Sequence, residues 1–169
     1  YFSAISLAIL PEGDRARFLD WLPAYRAGGG RVAFDSNYRP RLWPDAATAR
    51  AAIEAAWRQT DIGLPSLDDE SALFGDANAA GVIARLAGWG VRSGALKRGA
   101  EGPMALDGTP APAFAPVTRV VDSTAAGDSF NGASLAARLI GAPEAARLSG
   151  GHRLAARVIG VRGAIIPRQ

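Results

Sequence analysis

Short apolar segments alternate with longer helical patterns along this chain, and that alternation confines it to a layered α/β fold with a parallel sheet. Phe2 to Leu10 reads as a strand end leading to Pro11. Asp14 is placed to cap a helix carrying Phe18, Leu19, Leu22 and Tyr25, which Pro23 should kink or end. Gly28-Gly29-Gly30 breaks the chain before a short strand, Arg31 to Asp35. Beyond a loop with Pro40 and Pro44, Asp45 should cap a helix presenting Ala49, Ile53, Ala56 and Trp57 on one face. Ile62 to Pro65 reads as a brief strand, followed by helices from about Asp68 to Phe74 and from Asn78 to Ala87, ended by glycines. Val91 to Lys97 and Pro103 to Leu106 are placed to pair across the turn at Gly99 to Gly102, and Asp107-Gly108 is a further turn signal. Pro110 to Pro116 reads as an extended connector. Val120-Val121 reads as a strand end running into a small-residue turn and a helix from Ser129 to Ile140, which Gly141 and Pro143 stop. Two more helices are expected, from Pro143 and from His152, before the tail Val161 to Gln169. In such sheets ligands bind beyond the carboxyl ends of the strands.

Composition narrows the chemistry. With 49% apolar residues in 169, the chain is globular and fits one domain spanning 1–169. It has no Cys and one His, which excludes disulfides and thiolate metal sites and argues against zinc. Lys and Arg exceed the acids by three, with no dense basic run interleaved with aromatics, so nucleic acid is not the expected partner. No apolar run approaches the ~20 residues that span a bilayer and no signal pattern opens the chain, so no membrane role is expected and a cytoplasmic location is compatible. The chain opens at Tyr1 without a Met, already in apolar sequence, as a fragment would.

The sharpest chemical signal is Asp122-Ser123-Thr124-Ala125-Ala126-Gly127-Asp128. A tight small-residue turn opening a helix can aim several N–H groups at an anion, with the helix end adding positive potential. Asp128 is a carboxylate where a bound phosphate would sit. It either caps the helix or acts as a general base on a hydroxyl that attacks the phosphate; the second reading is favoured. Three other loops carry polar residues a core does not need. In Asp35 to Trp43, Arg39 or Arg41 can grip a carboxylate or phosphate, or the segment is an Asx turn with solvated arginines and Trp43 in the core. In Pro65 to Glu70, Ser66 and Asp69 have capping-box spacing, and the acids can alternatively help hold hydrated Mg²⁺. Lys97 to Gly102 is a glycine turn with two cations, either solvated or lying against nucleotide phosphates. Trp57 and Trp89 read as core, and His152 is assigned no role.

The Asp122–Asp128 string resembles the D-T-x-G-A-G-D signature of the ribokinase-like (PfkB) sugar kinases, with Ser123 for Thr and Ala125 for Gly. Asp35 to Trp43, Thr60 to Glu70, Lys97-Arg98-Gly99 and the tail Arg162 to Arg168 extend the resemblance over most of the chain, toward the 2-keto-3-deoxygluconate kinases. The resemblance implies a ribokinase-like three-layer α/β/α sandwich with a mostly parallel sheet, here the C-terminal part without the N-terminal part and lid. It implies ATP-dependent phosphorylation of a sugar-acid hydroxyl, 2-keto-3-deoxygluconate to its 6-phosphate, in an enzyme that is a homo-oligomer. Asp128 would be the base, with Ala125, Ala126 and Gly127 the anion hole. Asn37, Tyr38 and Arg39 would lie near the ATP phosphates, with Arg39 reaching the substrate carboxylate. Lys97, Arg98, Gly99, Ala100, Glu101 and Gly102 would line the nucleotide side. ATP and Mg²⁺ are the implied cofactors, and Asp122 and Thr124 fall where relatives bind a monovalent cation such as K⁺. The N-x-x-E motif that relatives use near Mg²⁺ stands here as Ser66-Leu67-Asp68-Asp69, different at both ends. The competing readings are a neutral-sugar kinase such as a fructokinase or ribokinase, and a nucleotide-binding fragment without catalysis.

Overall fold

The structure, a computed structural model, describes residues 1–115, 117 and 119–166. The chain divides into two compact units, Tyr1–Leu96 and Lys97–Gln169. Among the described residues no helix is long and apolar enough to cross a membrane.

In the first unit, strands β1 (Phe2–Ser3), β2 (Ala33–Asp35) and β3 (Ile62–Gly63) form a parallel sheet in that order. Phe2 lies opposite Phe34, and Phe34 opposite Gly63. Gly94 extends the sheet as a parallel bridge to Gly63, just before β4 (Ala95–Leu96). That position demands glycine: its φ is +119°, and a Cβ would stand 1.9 Å from the Gly63 carbonyl oxygen. Every β2 residue is buried, as a parallel strand covered on both faces requires. Phe34 meets Phe2 at 4.9 Å between ring centroids and the fully buried Trp57 edge-on at 4.6 Å. Burying side chains of this size stabilises by roughly 1.5–3 kcal/mol each.

The helices of this unit are α1 (Ala4–Ile9), α2 (Glu12–Ala27), α3 (Ala46–Trp57), α4 (Leu67–Phe74) and α5 (Ala79–Gly88). Asp45 caps α3 as expected, accepting the Thr48 N–H at 2.7 Å, and Ala49, Ile53, Ala56 and Trp57 are all buried. Asn78 caps α5 by accepting from the Gly81 N–H, and Gly75 ends α4 at φ +81°. Three local expectations change. Phe2 to Leu10 is strand only at Phe2–Ser3 and then helix, burying Ala4 and Leu7 at i, i+3 while Ile9 stays exposed; a strand would have put Leu7 and Ile9 on one face. Pro23 does not end α2, which runs on to Ala27 and closes on Gly28, whose N–H bonds the Ala24 carbonyl. Asp14 sits inside the first turn, its N–H donating to the Pro11 carbonyl, so Pro11 holds the cap position.

The second unit contains β5 (Met104–Ala105) and two packed helices, α6 (Ala126–Leu139) and α7 (Glu144–Ile159). The two helices expected from Pro143 and His152 are one. Gly150-Gly151 does not break it, and at Gly151 α7 packs tightly on α6: a Cβ there would stand 2.6 Å from the Phe130 ring. Glu144, at the start of α7, accepts from Arg138 of α6 at 3.2 Å and Arg147 at 2.6 Å, tying the connection together. Val120-Val121 forms no strand; the Val121 and Asp122 N–H groups instead bond the Ile159 carbonyl at the end of α7, at 2.7 and 3.2 Å. Pro116 and Pro167 to Gln169 lie outside the described residues.

Candidate active site

The small-residue turn that the sequence marks as a candidate anion site lies in the second unit, at the start of α6. Ala125 holds the cap position with φ +61° and ψ 14°, a left-handed conformation that costs a side-chain-bearing residue about 1–2 kcal/mol. Its side chain has no oxygen to cap the helix, so the first-turn N–H groups are left for other partners. Ala126 gives its N–H to the Ser123 carbonyl at 3.2 Å. The next two, of Gly127 and Asp128, donate to no carbonyl among the described residues. Asp128 therefore stands inside the first turn, with its exposed carboxylate beside open N–H groups, and is not the cap. Both features suit an anion and a base sharing one helix end.

Asp122 organises the turn from the other side. Its Oδ1 accepts the Thr124 N–H at 2.9 Å and its Oδ2 the Gly163 N–H at 2.9 Å. The Thr124 hydroxyl first, then these two N–H groups, pull the Asp122 carboxyl down to about 2. Lys97 reaches the same region: its Nζ donates to Asn131 Oδ1 at 3.2 Å and lies 3.6 Å from a Cβ built on Gly127. The second cation of that loop is committed elsewhere. Arg98 folds onto its own turn, donating to the Gly102 carbonyl at 3.0 Å and the Glu101 carboxylate at 2.9 Å. Gly99 to Glu101 form a single 3₁₀ turn, and Gly102 has φ +76° with the Phe114 ring where a Cβ would point. Ala100 is exposed on the same turn.

In the first unit, Asp35 makes the Asx turn, accepting the Asn37 N–H at 3.0 Å, and Asn37 takes φ +25°. Tyr38 and Trp43 are buried. Arg39 is not simply solvated: its Nη1 donates to the Tyr38 carbonyl at 2.8 Å and to Asp69 at 3.3 Å, with half of its side chain exposed. Ser66 is at the cap of α4 but makes no side-chain capping bond, so the capping box with Asp69 does not form.

Sequence reasoning left Asn131 unremarked, gave His152 no role and read Glu70 only as one of the acids in a helix's first turn. Asn131 is buried one turn beyond Asp128, and the i, i+3 spacing on a helix was the available signal. His152 packs against Phe114, with ring centroids 4.7 Å apart and the planes tilted by 41°, and lines a cavity of about 480 Å³ with Arg119, Ser149, Arg153 and Arg157. Glu70 is fully buried, its Oε2 accepting from Arg85 Nη2 at 2.8 Å while Arg85 also pairs with Asp76. Burial pushes the Glu70 carboxyl up against the pull of Ser36 and Arg85, and Ser36 Oγ and Glu70 Oε1 make no hydrogen bond of good geometry. The Arg85 guanidinium lies over both Phe74, at 4.1 Å, and Trp89, at 4.7 Å, two rings in edge-on contact with each other. Trp89 is accordingly only half-buried, whereas Trp57 is core as expected. No three His, Cys, Asp or Glu side chains gather into a metal site among the described residues.

The chain matches a known family over residues 1–169, described as pfkB family carbohydrate kinase. The chain belongs to this family. It is 45% identical, over 99% of its length and 56% of the relative's, to the 2-dehydro-3-deoxygluconokinase of Dickeya dadantii (strain 3937). With the enzyme of the same name from Escherichia coli (strain K12) it shares 43% identity over 100% of this chain and 56% of the other. The pfkB chain thus spans just over half the length of the curated relatives it matches. Among solved structures it resembles the aminoimidazole riboside kinase of Salmonella enterica complexed with aminoimidazole riboside and an ATP analog, with TM-score 0.78, 26% identity, and 97% and 57% of the two chains covered. The fructokinase of Vibrio cholerae O395 shares the fold at TM-score 0.83 and 19% identity, over 96% and 55% of the chains. The ribokinase-like α/β fold expected from the sequence, as part of a larger domain, is the one these neighbours have.

Proposed function

We propose that the pfkB chain carries the phosphoryl-transfer turn of an ATP-dependent sugar-acid kinase whose substrate is 2-keto-3-deoxygluconate, phosphorylated at its 6-hydroxyl. The observation that carries this reading is the start of α6, where two open N–H groups, the Asp128 carboxylate and the Lys97 ammonium converge on one turn. A resting anion alone would not call for a carboxylate there. A hydroxyl that must lose its proton while attacking a phosphoryl group does.

In that reaction the sugar hydroxyl oxygen attacks the γ-phosphorus of ATP, the bond to the ADP oxygen breaks, and the hydroxyl proton passes to Asp128 as the new O–P bond forms. The Gly127 and Asp128 N–H groups, with Ala125 and Ala126 shaping the turn, meet charge on the phosphoryl oxygens. Mg²⁺, which commonly binds through substrate phosphates and few carboxylates, would neutralise charge on the nucleotide phosphates. A monovalent cation at Asp122 and Thr124 would have to share carboxylate oxygens that already accept two N–H groups. The cavity beside Phe114 and His152, with its three arginines, suits an aromatic base attached to a polyanion. Arg39 is the group proposed to favour an acid over a neutral sugar. Its link to Asp69 keeps the guanidinium oriented while half of it stays accessible. The homology to two named 2-dehydro-3-deoxygluconokinases supports this substrate over ribose or fructose.

The test is ATP-dependent phosphorylation of 2-keto-3-deoxygluconate, ribose and fructose by the full-length protein, wild type and Asp128→Asn. The variant should fold and bind ATP but lose at least about a hundredfold in kcat, the scale of general-base catalysis. Near-wild-type turnover would remove Asp128 as the base. Arg39→Ala should raise KM for the sugar acid much more than for a neutral sugar, and equal effects would refute carboxylate recognition. Binding of ATP with no turnover on any sugar would leave a nucleotide-binding protein.

A further inference from the structure

We propose that Asn131 is a positioning residue that holds the Lys97 ammonium beside Gly127, so that this cation is in place before the phosphoryl group arrives; the inference rests on the kinase reading above. Asn131 is 2% exposed, on α6, one turn beyond Asp128. Its Oδ1 accepts from Lys97 Nζ at 3.2 Å, and the same Nζ lies 3.6 Å from a Cβ built on Gly127. The lysine thus belongs to the anion-binding turn, although thirty-four positions separate it from Asn131 in the chain.

The choice of an amide has a physical reason. A lysine ammonium is a point charge on a flexible four-carbon stem, and it gains most from water when nothing fixes it. A buried acceptor on a packed helix fixes it. A carboxylate in the same place would also offset the charge that a phosphate needs, whereas the neutral amide oxygen orients the ammonium without adding a negative charge at that position. Because Asn131 and Asp128 are on the same helix, the base, the open N–H groups and the cation are held by one rigid element. Gly127 contributes by having no side chain to intervene between its backbone and the ammonium.

The experiment is a double-mutant cycle on the full-length protein with Asn131→Ala, Lys97→Met and both together, measured by steady-state kinetics with ATP and 2-keto-3-deoxygluconate. Each single change should lower kcat by about tenfold or more, the loss expected for a hydrogen bond to a charged group. KM for the sugar acid should stay within about twofold, and the double variant should be no slower than Lys97→Met alone. Multiplying effects, or a changed KM for the sugar with unchanged kcat, would overturn the assignment. A second reading needs neither turnover nor an Asn131 variant. Sodium pyrophosphate titrated into wild type should shift the Asn131 side-chain amide signals in NMR saturably, and Lys97→Met should abolish the shift. No shift in wild type would overturn the proposal. Loss of turnover on every sugar with the pyrophosphate response intact would refute the kinase reading and leave the positioning of Lys97 standing.

Discussion

Two adjacent glycines in α7 should respond oppositely to the same substitution. Gly150 and Gly151 both lie in the helix interior, where replacing glycine by alanine gains about 1 kcal/mol in helix propensity. Nothing lies within 4 Å of a Cβ at Gly150, so Gly150→Ala should keep that gain. At Gly151 the Cβ would fall 2.6 and 2.7 Å from two ring carbons of Phe130. Phe130 is 4% exposed and cannot swing into water, so the methyl must displace the ring or push α7 away from α6. Overpacking of this kind costs about 1–3 kcal/mol. The sum for Gly151→Ala therefore runs from about zero to about 2 kcal/mol of destabilisation, and the two variants should differ by about 1–3 kcal/mol. Urea denaturation followed by far-UV circular dichroism reads this difference directly. The consequence reaches the site, since Phe130 follows Asp128 by two residues on the first turns of α6. Turnover should fall in Gly151→Ala and not in Gly150→Ala. If the two variants are equally stabilised, Gly151 is not a tight packing contact between α7 and α6.

Arg85→Ala should destabilise the first unit by about 3–5 kcal/mol, because it strands the buried Glu70 and the nearby Asp76 without their cation. Glu70 already has a folded-state pKa raised by burial, so its charge opposes folding; the variant's loss should shrink as pH falls through that pKa, and Glu70→Gln should recover part of it, both read by chemical denaturation. Asp122 has the opposite sign. Its pKa, lowered to about 2 against roughly 3.9 in an unfolded chain, gives stability that is fully present above about pH 4 and lost as pH falls toward 2. Acid titration of unfolding should show a shallower decline in Asp122→Asn over that window than in wild type; identical profiles would show that the Thr124 and Gly163 contacts do not hold the carboxylate.

Local signals carried much of this protein. Asp45 before Ala46-Ala47-Thr48 is a helix start by side-chain chemistry alone, and the spacing of Ala49, Ile53, Ala56 and Trp57 defines a buried face in any context. The string Asp122 to Asp128 likewise marked a turn opening a helix, which begins at Ala126, three residues before the expected Ser129, and it resembles the signature of the family that the whole chain matches. The sequence could not decide matters that depend on what comes near from elsewhere in the chain. Gly150-Gly151 has the composition of a break, and only the Phe130 ring from α6 makes it a close approach inside a continuous helix. Val120-Val121 has strand propensity, but the carbonyl that takes up the Val121 N–H comes from Ile159. Asp69 has capping-box spacing to Ser66 and yet pairs with Arg39, thirty residues away. Lys97 could be recognised as a cation in a glycine turn, but its place beside Gly127 and its bond to the buried Asn131 amide arise only once α6 is packed. Propensity and spacing act within a few residues. Hydrogen-bond partners, close approaches and the company of buried charges are long-range quantities, and tertiary structure alone sets them.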